Sequence, residues 1–214
     1  MLRAGSGARL VALTFDDGPA GDTAAVLDAL ARGHAHATFF VVGRRIAGNE
    51  RLLWREASEG HAVGNHSWLH PDMRRLTDAQ RRQQLSDTDV AIRQATGERP
   101  TLFRPPYGAT SPDVNVLARH LGLLPVAWSV DTRDWAGLKA RQIARRALSG
   151  ARPGAIILLH DGGGDRRATV RAIPLILAGL AERGLVPVTL PELLAAAPPG
   201  GPGTLARVQG RRSY

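Results

Sequence analysis

The 214-residue chain has no cysteine. Disulfides and thiolate metal ligands are therefore excluded, and any transition metal must be held by histidine and carboxylate. Lysine is nearly absent: Lys139 stands alone, and arginine supplies the rest of the basic side of a +9 formal charge. A charge of that sign favours anionic partners, but the arginines are scattered rather than gathered in one run and, with the many alanines, read as compositional bias. No helix-turn-helix, RNA-recognition or zinc-finger pattern accompanies them, so no nucleic-acid partner is expected. Also missing is any apolar run near the roughly 18 residues of a membrane span. Met1-Leu2-Arg3-Ala4-Gly5-Ser6-Gly7 has no apolar stretch of signal-peptide length. As written, the chain is expected to be soluble and without an export signal; a secreted or anchored parent trimmed to this region would look the same.

The hydrophobic fraction, 43%, is enough for one substantial core. Short β-rich runs alternate with longer helical patterns, which predicts an α/β fold with a mostly parallel sheet and about seven strands. The candidate strands are Leu10–Phe15, Ala37–Val42, His61–Asn65, Leu102–Arg104, Val126–Val130, Ala155–Leu159 and Leu185–Thr189. Several are continuous apolar runs, as expected when both faces of a strand are covered. Helices are predicted from Thr23 to a stop at Gly33, from a Thr77/Gln80 capping box to Gly97, from Ser111-Pro112 onward, and over Thr169–Arg183 closed by Gly184. The breaker-rich stretch after Ala197 predicts an irregular tail over 198–214, leaving 1–197 as a single domain, expected to be monomeric.

The chemically capable residues fall at one place in this pattern. Asp16, Asp17, His66, Arg104, Asp131 and His160 each stand at or just past the C-terminal end of a candidate strand, the edge that carries active sites in a parallel β/α barrel. Asp16 and Asp17 leave an apolar strand at a Gly-Pro turn and point in different directions, so they can hold different jobs or simply cap a helix. His66 and His70, four apart, can present nitrogens to one cation from a single helical turn, with an aspartate from another strand end as third ligand. Arg104-Pro105-Pro106-Tyr107-Gly108 is a rigid loop whose arginine can pair with a carboxylate. Asp131-Thr132-Arg133-Asp134-Trp135 follows an apolar run, and His160-Asp161 ends an aliphatic one, where a carboxylate neighbour would raise the imidazole pKa against the lowering effect of an apolar wall. His34, His36, His61 and His120 lie at helix ends or strand starts and are not expected in the site. Trp68, between two candidate ligands, can stack on a sugar face or pack beneath the loop.

In this order the clusters Thr-Phe-Asp-Asp-Gly-Pro, His-Ser-x-x-His, Arg-Pro-Pro-Tyr, Asp-x-x-Asp-Trp and Leu-Leu-His-Asp resemble the polysaccharide deacetylase family, carbohydrate esterase family 4, over roughly Val11 to Leu194. Ala37–Gly43 and His160–Arg166 are similar to it as well. The resemblance implies a distorted parallel β/α barrel that removes N-acetyl groups from an N-acetylated glycan, acting at the cell envelope or outside the cell. It implies Asp17, His66 and His70 as ligands of one divalent ion, zinc, with cobalt or nickel as substitutes. It implies Asp16 as general base, Arg104 as its orienting partner, the Tyr107 N–H as oxyanion donor, and His160, held by Asp134, as general acid. Pro105, Tyr107, Trp135 and Leu158 would contact substrate, the last two walling the pocket for the acetyl methyl. Three rival readings are a related amidohydrolase acting on a small amide or N-acetylated metabolite, a non-catalytic carbohydrate-binding module, and a basic nucleic-acid-binding protein. The second requires a missing ligand, base or acid, and every expected position is filled.

Overall fold

The computed structural model describes residues 9–196; the predicted tail lies outside that range. Among the described residues there are eight strands: β1 (Leu10–Asp16), β2 (Thr38–Val41), β3 (Ala62–Asn65), β4 (Leu102–Phe103), β5 (Leu124–Pro125), β6 (Val130–Asp131), β7 (Ile156–His160) and β8 (Val186–Val188). Seven lie on one path, β5-β4-β3-β2-β1-β7-β6, and β8 pairs with the first half of β1 off that path. Every ladder is parallel. Among the described residues six α-helices connect strands, α1 (Thr23–Arg32), α2 (Glu50–Ser58), α3 (Asp78–Thr96), α4 (Pro112–His120), α5 (Ala140–Gly150) and α6 (Arg167–Glu182), and α7 (Leu190–Ala195) follows β8. The architecture is a distorted parallel β/α barrel.

The helix punctuation acts locally as the sequence implies. Thr77 and Gln80 form a reciprocal capping box at the start of α3, and Gly97 ends it in the left-handed conformation at φ 80°. Ser111 caps α4 by accepting the Val114 N–H, with Pro112 in the first turn.

Alternation along the central strands separates two cores. Val11, Leu13 and Phe15 of β1, Phe39 and Val41 of β2, and Ile157 and Leu159 of β7 pack outward against Val26, Leu27, Leu30, Ile143, Ile173 and Ile176 of the helices. Ala12, Phe40 and Ile156, one position out of phase, belong instead to an inner cluster closed by Leu190 and Leu193 of α7. The two-residue period therefore aims Thr14 and Asp16 on β1, and Leu158 and His160 on β7, into the barrel. In the β1–β7 ladder Asp16 is the register partner of His160, so an acid and an imidazole stand side by side at the strand ends.

The run Val126–Val130 is not one strand. The Val126 N–H bonds to Phe103 O at 2.8 Å and the Ser129 N–H to Ile156 O at 2.9 Å. Its backbone leaves the β4 edge and joins the β7 edge, so strand structure falls on either side of it. Among the described residues no ladder joins β5 to β6; the crossing segment closes the barrel there, and the Arg104 Nη2 donates to Ala127 O at 3.3 Å from inside. An apolar run reports burial, and only the tertiary pairing decides which strands satisfy its backbone groups.

Candidate active site and metal centre

At the C-terminal ends of β1, β3, β4 and β7 the structure brings together Asp16, Asp17, His66, His70, Arg104 and His160, with Asp134 behind the last. Asp17, just past the end of β1, has φ 75° and so leaves the extended backbone that Asp16 ends. Its Oδ1 lies 3.6 Å from His66 Nε2 and 3.2 Å from His70 Nε2, and one ligand atom from each of the three fits within a 4.8 Å span. Asp16 approaches only His66, at 3.8 Å, and its other oxygen is taken by Arg104. That difference assigns the two adjacent carboxylates to different surroundings.

The donor set fits a metal ion. His66 Nδ1 sits 2.7 Å from the Arg104 carbonyl, which can only accept. Nδ1 therefore carries the proton and Nε2 keeps its lone pair facing Asp17 and His70, the arrangement usual behind metal-ligating histidines. Burial, and then the neighbouring His70, push the His66 pKa down to about 3, and burial also lowers that of His70. Both rings are thus held in the neutral form that ligates. No helical turn carries them: the loop has φ 67° at Ser67 and 61° at His70. It is tied by Asn65 Oδ1 accepting the Ser67 N–H and by Ser67 Oγ accepting the His70 N–H. The helical spacing is overridden by these short polar side chains, which compete with helix by bonding the nearby backbone.

Arg104 is fully buried beneath Asp16. Its Nη1 donates to Asp16 Oδ1 and to Thr14 Oγ1, each at 2.7 Å, and its guanidinium lies 4.2 Å over the Phe40 ring. Burial raises the Asp16 pKa, with the charge and hydrogen bond of Arg104 and the charge of His160 acting against it. On the other side His160 Nδ1 is 2.8 Å from Asp134 Oδ1, while Asp134 Oδ2 accepts the His160 N–H and the Thr169 hydroxyl, both at 2.8 Å. Burial alone would lower the His160 pKa; the Asp134 hydrogen bond and charge outweigh it and the net shift is upward. For Asp134, burial is outweighed by the bonds from His160 and Thr169, and its pKa falls.

The remaining sequence-predicted residues divide. Pro105 and Leu158 are buried. Tyr107 is 71% exposed at φ 60°, its ring 4.5 Å from that of His70, and Trp135 is half exposed with the Arg133 guanidinium 5.6 Å away. Among the described residues no acceptor takes the Tyr107 N–H. Asp131 does not join the cluster: it is exposed and accepts the Arg133 N–H, closing its own turn. Trp68 lies where a side chain on Gly43 would be, 2.4 Å from that position, which is the packing alternative. His34, His36, His61 and His120 stand apart from the site, His61 accepting the Ala37 N–H at 3.1 Å.

Sequence reasoning missed the supports. Thr14, Asn65 and Thr169 carry no distinguishing local signal. Glu56 carries one, a carboxylate three residues from Leu53 on the buried side of α2. Both Glu56 oxygens and Asp161 Oδ1 are buried without a partner among the described residues, and Asp161 Oδ2 accepts the Thr23 hydroxyl. Burial, with the Asp161 charge added, holds the Glu56 pKa well above the usual range, and burial pushes Asp161 up to about 7. A folded-state pKa raised in this way means that the stability tied to protonated Glu56 is present below its ordinary value of 4.5 and is lost as pH rises through the folded value. Glu56→Gln is therefore expected to raise Tm at pH 8 by about 3 °C or more, the shift that ~1 kcal/mol makes in a domain of this size. At pH 5 it should change Tm little. Equal effects at the two pH values, by thermal unfolding, would show that Glu56 is not protonated on folding.

A parallel barrel with acids, imidazoles and a buried arginine gathered at its C-terminal strand ends, three of them close enough together that they could hold a metal ion, has its polar cluster where barrel enzymes carry their sites. The chain belongs to the polysaccharide deacetylase family, whose model matches residues 3–126. It is 41% identical over 184 residues to the peptidoglycan-N-acetylglucosamine deacetylase PgdA of Listeria monocytogenes, covering 86% of this chain and 38% of that one. The chain thus spans about two-fifths of the length of that relative. It is 41% identical over 201 residues to the chitooligosaccharide deacetylase of Bradyrhizobium sp., covering 88% and 92% of the two chains. Among solved structures, the T48 deacetylase with substrate superposes with a TM-score of 0.85 at 37% identity, covering 92% of this chain and 96% of that one.

Proposed function

We propose that this chain is a zinc-dependent N-deacetylase that hydrolyses the acetamide of N-acetylglucosamine units in a glycan, chitin-type or peptidoglycan, and releases acetate. The observation that carries this reading is the lateral pairing of Asp16 with His160 beside the Asp17–His66–His70 set. Amide hydrolysis needs a base and an acid in opposite protonation states at one pH. Asp16, facing Arg104 at 2.7 Å, has a cation that opposes the upward push of burial on its pKa. His160, with its pKa raised against Asp134, favours the protonated form.

Two histidines and a carboxylate leave positions open for water and substrate, the pattern of catalytic zinc sites. A divalent ion held there supplies Lewis acidity, acidifying water and polarising the acetamide carbonyl. The chain does the rest. Asp16 takes the proton of the attacking water, and Arg104 fixes which oxygen is free to do so. The Tyr107 N–H, which no acceptor takes among the described residues, donates to the carbonyl oxygen as it gains charge. His160 Nε2 gives its proton to the departing nitrogen while Asp134 holds Nδ1. Tyr107 is exposed with its ring 4.5 Å from that of His70, and Leu69 and Trp135, next in the chain to His70 and Asp134, are exposed as well; exposed apolar and aromatic surface of this kind suits a sugar chain.

One tightly held divalent ion per chain is expected, with acetate release from chitooligosaccharide or peptidoglycan fragments abolished by chelation and restored by zinc or cobalt. Full activity in protein shown to be metal-free by elemental analysis would overturn the reading. Turnover of a cyclic ureide in place of any N-acetylated glycan would favour the small-amide alternative.

A further inference from the structure

Behind the Asp17 carboxylate lies a run of three glycines to which the reaction above assigns no part. Gly162, Gly163 and Gly164 follow β7, the last two at φ 74° and 143°. A side-chain carbon on Gly163 would lie 2.6 Å from Asp17 Oδ2, and one on Gly162 would lie 2.1 Å from the Asp17 carbonyl oxygen. Backbone therefore fills the space against Oδ2, while Oδ1 faces both imidazoles. The loop is pinned by a buried arginine: Arg166 Nε donates to Gly162 O at 2.7 Å and Nη2 to Gly163 O at 3.1 Å. Its own N–H donates to Asp22 Oδ2 at 2.6 Å, fixing the arginine to the segment that opens α1. Two carbonyls at that spacing call for a planar, forked donor, which lysine does not offer.

We propose that Arg166 is a positioning residue for Asp17: by pinning Gly162 and Gly163 it keeps Oδ2 walled by backbone and leaves Oδ1 as the single oxygen available to a metal ion. This rests on the reading of Asp17 as a ligand. A carboxylate free to swing would offer both oxygens and occupy a position that the water or the substrate carbonyl needs. The glycines serve the same end, since any side chain at 163 would push directly on Oδ2.

The test compares wild type, Arg166→Met, Arg166→Lys, Gly163→Ala and Asp17→Asn, stripped of metal, by zinc titration against a chromophoric chelator and by absorption of the cobalt-loaded proteins. Arg166→Met and Gly163→Ala are expected to weaken zinc binding by about 10–100-fold, the range for supports of metal ligands. Their cobalt bands should lose intensity as the coordination number rises. Arg166→Lys should fall between them and wild type. If Arg166→Met does not melt cooperatively, Gly163→Ala carries the test. Zinc affinity within threefold of wild type and an unchanged cobalt spectrum in the folded variants overturn the proposal while Asp17→Asn still loses metal. Wild-type affinity in Asp17→Asn overturns the ligand reading and this proposal together.

Discussion

Asp16→Asn is expected to bind zinc as wild type does and to lose turnover by roughly 10²–10⁴-fold, the range for removing a general base. Asp17→Asn is expected to lose zinc by more than the roughly 10–100-fold typical of an indirect support, and to regain part of its activity when zinc is raised. The two side chains are one residue apart and chemically identical, so the difference is one of surroundings. Asp17 Oδ1 lies within 3.6 Å of two imidazole nitrogens, whereas Asp16 meets one at 3.8 Å and gives its other oxygen to Arg104. Neutralising Asp16 also leaves the fully buried Arg104 without its counter-charge, a loss worth about 3–5 kcal/mol where a buried pair is broken. Both variants should accordingly be compared well below their Tm. Zinc titration followed by acetate-release kinetics at saturating metal separates them. Loss of zinc in Asp16→Asn with normal binding in Asp17→Asn would reverse the two roles.

His160→Ala is expected to keep zinc and to lose about 10²–10⁴-fold in turnover, because the departing nitrogen then has no positioned acid. The pH profile gives the more discriminating result. The His160 pKa is raised, so the acid form persists above the ordinary histidine range and the alkaline limb of the profile should lie above pH ~6.5. That rise comes from Asp134 against the opposing effect of burial. In Asp134→Asn only burial and the weaker charges of Asp16 and Asp17 remain, and the alkaline limb should move toward lower pH. Activity at pH 8 then falls more than activity at pH 6. Turnover within threefold of wild type in His160→Ala, or an alkaline limb that Asp134→Asn leaves in place, would mean that another group protonates the amine.

A nucleic-acid role has only the +9 charge behind it. The scattered arginines have local employment: Arg55 pairs with Asp28 and Glu59, Arg81 with Asp78, and Arg167 with Asp165.

By itself the sequence determined what depends on near neighbours in the chain. The two-residue period of Leu10–Asp16 and Ile156–His160 divides their side chains between two faces, because a strand's pleat sets that without reference to its partners, while both faces are apolar and only the closed barrel decides which one turns inward. The caps at Thr77, Gly97 and Ser111 are legible for the same reason, since each satisfies backbone groups within a turn of itself. Contacts between distant segments decided the rest. Val126–Val130 looks like a strand, and only the positions of Phe103 and Ile156 show that its backbone is shared between two edges of the barrel. The His66–His70 spacing looks helical, and Asn65 and Ser67 bend it into a loop whose nitrogens converge on a carboxylate about fifty residues earlier in the chain. Asp161 in the interior, and Arg166 under its glycines, depend on which surfaces close over them. Burial, desolvation and the approach of one backbone to another exist only once the chain is folded, and no local pattern encodes them.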